Sequence, residues 1–203
     1  MKVLETEGFD EGRDKILLLD VAKTLNPNWL VFLDADEIFE SNLNRAEIDR
    51  MIASRYSAVN FRFCHLWLSE KSCRIGRKYF FYSMQPLRTM WRNSPEVYFF
   101  NEKIHNGVPQ KLGRHQYFSP YRIRHYGQAD AEHLAAKIKL YTSLDDTRDY
   151  SHLDPKKHVL AYPYIEFKNH QLNYVFIMIN KYVFHAMWTI GILGLIVTGK
   201  YKK

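Results

Sequence analysis

Apolar positions recur at helical spacing over residues 10–25 and stop at an Asn-Pro-Asn sequence, which predicts a helix followed by a break. Residues 29–34 form a short, almost wholly apolar run, the pattern expected of a central strand buried on both faces. Residues 44–54 begin with Asn44 and Glu47 in capping-box positions and predict a second helix. The chain is therefore expected to start in α/β order.

The rest of the pattern mixes strands with one long helix. Apolar and polar residues alternate over 56–68, and shorter strand-like runs follow at 86–91 and 121–126. Residues 97–108 are predicted to be a loop between short elements. Residues 130–148 carry apolar positions on one helical face and predict a helix.

These elements define an α/β domain over residues 1–165, followed by a hydrophobic tail over 166–203. The tail contains a mostly apolar stretch, 175–197, and three of the last four residues are lysines. That stretch is close to the ~20 apolar residues that a spanning helix needs. An interfacial helix with lysines on acidic lipid, a spanning helix and a soluble core helix all stay open.

Composition and charge narrow the possible classes of protein and of binding partner. With 14 Tyr, 13 Phe and 4 Trp, the chain does not have the composition of a disordered protein. Residues 1–50 hold 12 acidic and 6 basic side chains, whereas residues 51–203 hold 10 and 23. The first part thus suits a cation and the second suits anions. The acidic N-terminus predicts no secretory signal. Cys64 and Cys73 match no metal or redox spacing and are expected to be reduced.

Two carboxylates, Asp34 and Asp36, directly follow the apolar run. Side by side at the end of a buried strand, they repel each other unless a positive charge lies between them. A divalent cation that also binds substrate phosphates is a natural partner for such oxygen ligands. The alternative is that they only cap a turn or a helix.

Four segments in order resemble the bacterial family 2 glycosyltransferases, which have a GT-A fold. Trp29–Glu37 resembles the D-x-D strand of that family, and Glu11–Lys15 resembles the helix before it. Asn101–His105 resembles the acceptor-side segment, and Ile123–Gly127 resembles the C-terminal part of the catalytic domain. The late Gly191 to Gly194 pattern is similar to members that act on lipopolysaccharide or other lipid-linked glycans.

The resemblance implies a GT-A-like mixed sheet flanked by helices and a metal-dependent, inverting transfer. A sugar would pass from a nucleotide-diphosphate donor to a hydroxyl of a cell-envelope glycan or glycolipid, with Mn²⁺ or Mg²⁺ as cofactor. Family members begin with two or three donor-binding strands before this helix. The chain is therefore expected to be the later two-thirds of the domain, either from a truncated reading frame or with a partner chain that supplies the rest.

Five residues are assigned roles on this basis. Asp36 is expected to bind the metal directly, with Asp34 on the ribose or on a metal-bound water. Glu37 would orient the motif or cap the turn. His125 would join the metal or the diphosphate. Glu102, in an aromatic segment, is the candidate general base.

Several basic residues are weaker candidates for anion contacts, and each is also an ordinary surface or structural residue. They are Arg13 and Lys15 for the donor phosphates, Arg122, Arg124 and Lys137 for a phosphate on the acceptor, and His105 in the acceptor segment.

The expected location is the cytoplasmic face of the inner membrane, peripheral or with a single span. Two other classes stay open. The basic, aromatic stretch 71–124 would suit a nucleic-acid-binding module, but it has no binding motif and the acidic first quarter argues against that partner. A membrane-associated non-catalytic remnant, or a subunit that depends on a partner, is the other.

Overall fold

The computed structural model describes residues 5–75, 87–104, 108–150, 153–154 and 160–163. Within these ranges the chain is a mixed α/β fold. Three helices are described: α1 (Glu11–Thr24), α2 (Arg45–Ala53) and α3 (Ala131–Leu144). Seven strands accompany them: β1 (Trp29–Val31), β2 (Glu37–Phe39), β3 (Ala58–His65), β4 (Ser72–Ile75), β5 (Leu87–Arg92), β6 (Gln116–His125) and β7 (Leu160–Pro163).

The helix starts follow from local side-chain caps. Asp10, Asn44 and Asp130 each accept a backbone N–H from the first turn of α1, α2 and α3, as N-cap residues do. Helix α1 ends where Asn26 adopts a positive φ of 46°, a conformation that Asn tolerates. All three predicted helices are confirmed, although α3 stops one turn before the predicted residue 148. There Asp145 accepts the N–H of Thr147 in a local turn instead of continuing the helix.

Five strands form one sheet in the order β1-β5-β3-β6-β2, in which β3 and β6 are parallel and the other pairs are antiparallel. Strands β4 and β7 form a separate antiparallel pair. Strand β6 starts five residues earlier than predicted. It accommodates Pro120 at an irregularity in the pairing with β3, where a missing N–H is tolerated.

The prediction of a central, doubly buried strand at residues 29–34 is wrong. Only Trp29–Val31 are in a strand, this strand lies at an edge of the sheet, and Val31 is 51% exposed. The following Phe32 and Leu33 are apolar because they pack into the cores after the strand has ended. The central position belongs to β3, which was predicted as a strand of alternating apolar and polar residues and is buried along almost its whole length.

Chain connectivity requires the large sheet to curl. Strands β1 and β2 lie at opposite edges of the sheet, yet only residues 32–36 connect them. Because this connection includes a β-turn, it can span at most ~17 Å between the end of β1 and the start of β2. In a flat sheet the two edge strands would lie four strand spacings apart, which is ~19 Å. The two edges therefore approach each other at the turn after β1.

Helices α1 and α2 cover opposite faces of this sheet. Ala58 and Val59 are consecutive in β3, but Ala58 packs in the cluster with Leu19 of α1 and Val59 packs with Met51 of α2. Helix α3 adds a third cluster, in which Leu134 is fully buried against Trp67. The expected mixed α/β class is thus confirmed, whereas the GT-A likeness stays a prediction.

Cys64 and Cys73 form a disulfide that joins β3 to β4, so the prediction of reduced thiols is wrong. The chain turns back after β3, and Leu66 pairs with Cys73. This turn brings the two cysteines together, although their separation of nine residues matches no motif.

None of the described helices combines the length and the apolar composition that crossing a bilayer requires. The predicted hydrophobic tail, residues 166–203, lies outside the described residues.

A buried ion pair joins Glu40, the residue after β2, to Arg122 in β6. Arg122 donates from Nε to Glu40 Oε1 at 2.8 Å, and its backbone N–H donates to Glu40 Oε2 at 3.0 Å. Both residues are buried, and Glu40 is 1% exposed. The pair holds an edge strand that is only three residues long.

We therefore expect Glu40→Gln to lower the free energy of unfolding by ~3–5 kcal/mol, because a buried guanidinium loses its countercharge. Urea unfolding measures this. Asp49→Asn is the matched control, because the Arg45–Asp49 pair is exposed and should contribute less than ~1 kcal/mol. Equal stability losses in the two variants would contradict the assigned role of Glu40.

Candidate functional site

A tight turn carries the paired carboxylates from β1 to β2. The N–H of Glu37 donates to the carbonyl of Asp34 at 3.0 Å, and the N–H of Asp34 donates back to Glu37 Oε2 at 3.1 Å. The carbonyl of Asp36 accepts the N–H of Tyr126, just beyond β6, at 2.7 Å. Two hydrogen bonds therefore close the turn, and a third holds it against the end of β6.

Strand register places three polar side chains in one row across β2, β6 and β3. Glu37 is paired with His125, and His125 is paired with His65. Cross-strand partners point to the same face of a sheet. Together with Asp36 from the turn, Glu37 and His125 bring three ligand atoms within 4.8 Å of one another.

Two lysines lie beside these carboxylates. Lys15 is buried on α1, with Nζ 2.6 Å from Glu11 Oε1 and 3.5 Å from Asp34 Oδ1. Lys137 of α3 places Nζ 3.3 Å from Asp36 Oδ2. The site thus combines acidic groups with cations that come from two different helices.

Gly127 leaves the space in which these groups meet. A Cβ at this position would lie 2.4 Å from Asp36 Oδ2, 2.7 Å from Lys137 Nζ and 2.9 Å from His125 Cε1. At such distances a side chain at position 127 would displace one or more of these groups. The sequence indicated only that Gly127 ends a strand, whereas the structure shows that the missing side chain lets the three groups meet.

Burial and charge set the protonation states. Burial alone would raise the pKa of Asp36, but the positive charges of protonated His125 and of Lys137 outweigh it and lower the pKa. Burial lowers the pKa of His125, so its imidazole is neutral at pH 7. At that pH Lys137 is the positive charge beside the Asp36 carboxylate. Burial also opposes the charge on Lys137, but Tyr141 and Asp36 reverse this and raise its pKa.

The pKa values of Glu37 and His65 shift in opposite directions. Burial, followed by the like charge of Asp34, raises the pKa of Glu37 to about 7. Burial lowers the pKa of His65 to about 3, so this ring is also neutral at pH 7. A carboxyl group with a pKa near neutrality beside two neutral imidazoles can release its proton when a cation arrives.

A cavity of about 170 Å³ opens beside the row. Its polar wall consists of Lys15, Asp34, Glu37, His65, Thr89 and His125. Its apolar wall includes Phe32, Phe63, Phe99 and Pro109. A partly apolar cavity with a few convergent polar groups is the usual form of a small-molecule site.

The structure places Asp34, Asp36 and His125 near one another, but Asp34 is not in the group of clustered ligand atoms, and the metal-binding roles of all three stay predictions. Glu37 accepts the N–H of Asp34 within the turn, and its carboxylate also lies in the group of three clustered ligand atoms. His65 was not predicted as a site residue. Only the parallel register of β3 and β6 brings it to His125, and a single sequence does not encode that register in any recognisable motif.

Other predicted residues lie elsewhere. The Arg13 guanidinium donates to the carbonyls of Glu7 and Gly8 and to Asp14. Arg122 forms an ion pair with Glu40 inside the sheet, and the contact of Arg122 and Arg124 with an acceptor phosphate stays a prediction. Glu102 is exposed in a loop.

The Glu102 loop packs its backbone on α1, so that a Cβ at Gly12 would lie 2.5 Å from the Glu102 carbonyl oxygen. The role of Glu102 as general base stays a prediction. His105 lies outside the described residues.

Gly127→Ala is expected to displace Asp36, Lys137 or His125 and to weaken divalent-cation binding at least ~10-fold, the scale seen when metal ligands lose their support. Isothermal titration with Mn²⁺ measures this. Gly113→Ala is the control, because its Cβ would meet Ser57 Oγ at 2.7 Å, away from the carboxylate cluster. Unchanged Mn²⁺ affinity in Gly127→Ala would show that the cluster does not hold the ion.

Glu37→Gln should change how stability depends on pH. The folded chain holds the Glu37 proton up to a pKa of about 7, whereas the unfolded chain releases it near 4.5. Stability of the unaltered chain therefore falls as pH rises through that window, and the Gln variant does not share this loss. At pH 8 the free energy of unfolding of Glu37→Gln should therefore exceed that of the unaltered chain by ~2 kcal/mol, allowing for partial solvation.

Urea unfolding without metal at pH 4.5, 6 and 8 measures this difference. Parallel pH profiles for the two proteins would contradict the raised pKa of Glu37.

No protein-family model matches the chain, and no curated protein matches it either. The glycosyltransferase resemblance therefore rests on the sequence motifs alone.

Proposed function

We propose that the chain carries the metal- and diphosphate-binding part of a glycosyltransferase. The reaction would move a sugar from a nucleotide-diphosphate donor to a hydroxyl of a cell-envelope glycan or glycolipid. The observation that carries the proposal is the group of Asp36, Glu37 and His125 ligand atoms within 4.8 Å of one another, at the D-x-D-E turn. The order of motifs in the sequence supports the reaction class.

The residues present fit a divalent cation. Two carboxylates and one neutral imidazole form a donor set suited to Mn²⁺ or to other borderline divalent ions, and Mg²⁺ would rely more on the carboxylates. The absence of a side chain at Gly127 lets Asp36 and His125 approach each other. When bound, the ion would supply charge neutralisation for the leaving diphosphate.

The chain's own cations support the same chemistry. Lys15 and Lys137 flank the carboxylates at 3.5 Å and 3.3 Å, and phosphate oxygens are alternative partners for both ammonium groups. In the transfer, the acceptor oxygen bonds to the anomeric carbon while the bond from that carbon to the diphosphate oxygen breaks. The diphosphate leaves with the electron pair of that bond.

The acceptor proton needs a base, and Glu102 stays our candidate. Its loop packs on Gly12, one helical turn from Lys15. Asp34 is the candidate for the ribose hydroxyls, because it lines the cavity and its backbone is fixed by Glu37. A glycolipid acceptor would place the chain at the cytoplasmic face of the inner membrane, where nucleotide sugars are available.

One observation favours the non-catalytic alternative. The Lys137 ammonium already lies 3.3 Å from Asp36 Oδ2, so an internal cation can serve the carboxylate permanently. A remnant of an enzyme would keep this ion pair and bind no metal. Metal titration separates the two functions.

The test is titration of the full chain with Mn²⁺, followed by UDP or GDP. We expect Mn²⁺ to bind and nucleoside diphosphate to bind only with Mn²⁺ present. Asp36→Asn should lower Mn²⁺ affinity at least ~10-fold, because it removes a charged ligand. Asp49→Asn on α2 makes the same change in the exposed Arg45–Asp49 pair and should change nothing. Equal Mn²⁺ affinity of the Asp36 and Asp49 variants would reject the proposal.

A further inference from the structure

A second histidine lies directly behind the candidate ligand His125. His65 Nδ1 is 3.1 Å from His125 Nδ1, within hydrogen-bonding distance. The ring of Phe63 stacks on His65 and meets His125 edge-on, with centroids 5.9 Å and 6.2 Å away. Phe63 therefore holds the two imidazoles in a fixed mutual orientation.

The opposite nitrogen of His125 faces the carboxylate cluster. His125 Nε2 lies 3.5 Å from Asp36 Oδ2, which is long for a hydrogen bond. The bond to His65 is thus the better hydrogen bond of the two. The ring of His125 has one nitrogen for His65 and one for the cluster.

A neutral imidazole carries only one N–H, so the two contacts are linked. If His65 donates to His125, the proton of His125 is on Nε2 and blocks a cation there. If His125 donates from Nδ1 to His65, Nε2 keeps its lone pair toward Asp36. The direction of one hydrogen bond decides whether His125 can be a ligand.

We propose that His65 is a positioning residue that accepts the Nδ1–H of His125 and so fixes Nε2 of His125 as the cation-binding atom. This inference rests on the proposed function, because it assigns a role toward the same ion. His65 itself does not touch the ion. Metal-binding histidines commonly need such a partner on the other ring nitrogen.

The experiment compares His65→Phe, His65→Asn and His133→Phe in the full chain by titration with Mn²⁺. His65→Phe keeps an aromatic ring but removes the acceptor, and we expect ~10–100-fold weaker binding. His65→Asn places an amide oxygen near the Nδ1 position and should restore affinity close to that of the unaltered chain. His133 is exposed on α3, so His133→Phe is the matched control and should bind normally.

A second measurement reads the tautomer directly. In the unaltered chain labelled with ¹⁵N-histidine, we expect His125 to carry its proton on Nδ1, without metal and with Zn²⁺ as a diamagnetic probe. Zn²⁺ should shift the Nε2 resonance of His125. This spectrum stays informative even if the His65 variants do not fold.

Two results would overturn the inference: Mn²⁺ affinity of His65→Phe equal to that of His133→Phe, or a His125 proton on Nε2 with or without Zn²⁺. Failure of the unaltered chain to bind Mn²⁺ at all would instead count against the proposed function. The metal-free spectrum would then decide the direction of the hydrogen bond by itself.

Discussion

The short connection between β1 and β2 is the constraint on which the site depends. It leads from one edge of a five-stranded sheet to the other through only residues 32–36. A flat sheet is too wide for that connection, so the sheet curls and the turn lies against the end of β6. Asp36 thereby meets His125, and the backbone of Asp36 receives the N–H of Tyr126. One covalent constraint thus produces both the shape of the sheet and the carboxylate–histidine cluster.

Two lysines and one retained proton balance the negative charges of the carboxylate cluster. Lys137 lies against Asp36, and the buried Lys15 lies against Asp34 and Glu11. Glu37 relieves the remaining repulsion by keeping its proton up to a pKa of about 7. A divalent cation would compete with the ammonium group of Lys137 and with that proton. In the proposed function, a cation would therefore replace the Lys137 ammonium group at Asp36 and the proton at Glu37.

Local signals in the sequence predicted the helices well. Asn44 caps α2, as its capping-box position indicated, and the structure shows Asp10 and Asp130 as the caps of α1 and α3. The sequence also predicted that Asp34, Asp36 and His125 belong to one site. Long-range pairing was not predictable in the same way. The apolar run at 29–34 has the composition of a central strand but owes it to Phe32 and Leu33, which pack after the strand has ended.

The disulfide, the buried Glu40–Arg122 pair and the His65–His125 contact all depend on which strands are neighbours and in what register. Spacing along one chain does not contain that information.

The most direct test of the central claim is the anomalous diffraction of crystals of the full chain grown with Mn²⁺. The account predicts a manganese peak bounded by Asp36, Glu37 and His125 Nε2, with Lys137 moved away from Asp36. A structure at saturating Mn²⁺ with no peak at this cluster, and with Lys137 still paired to Asp36, would contradict it.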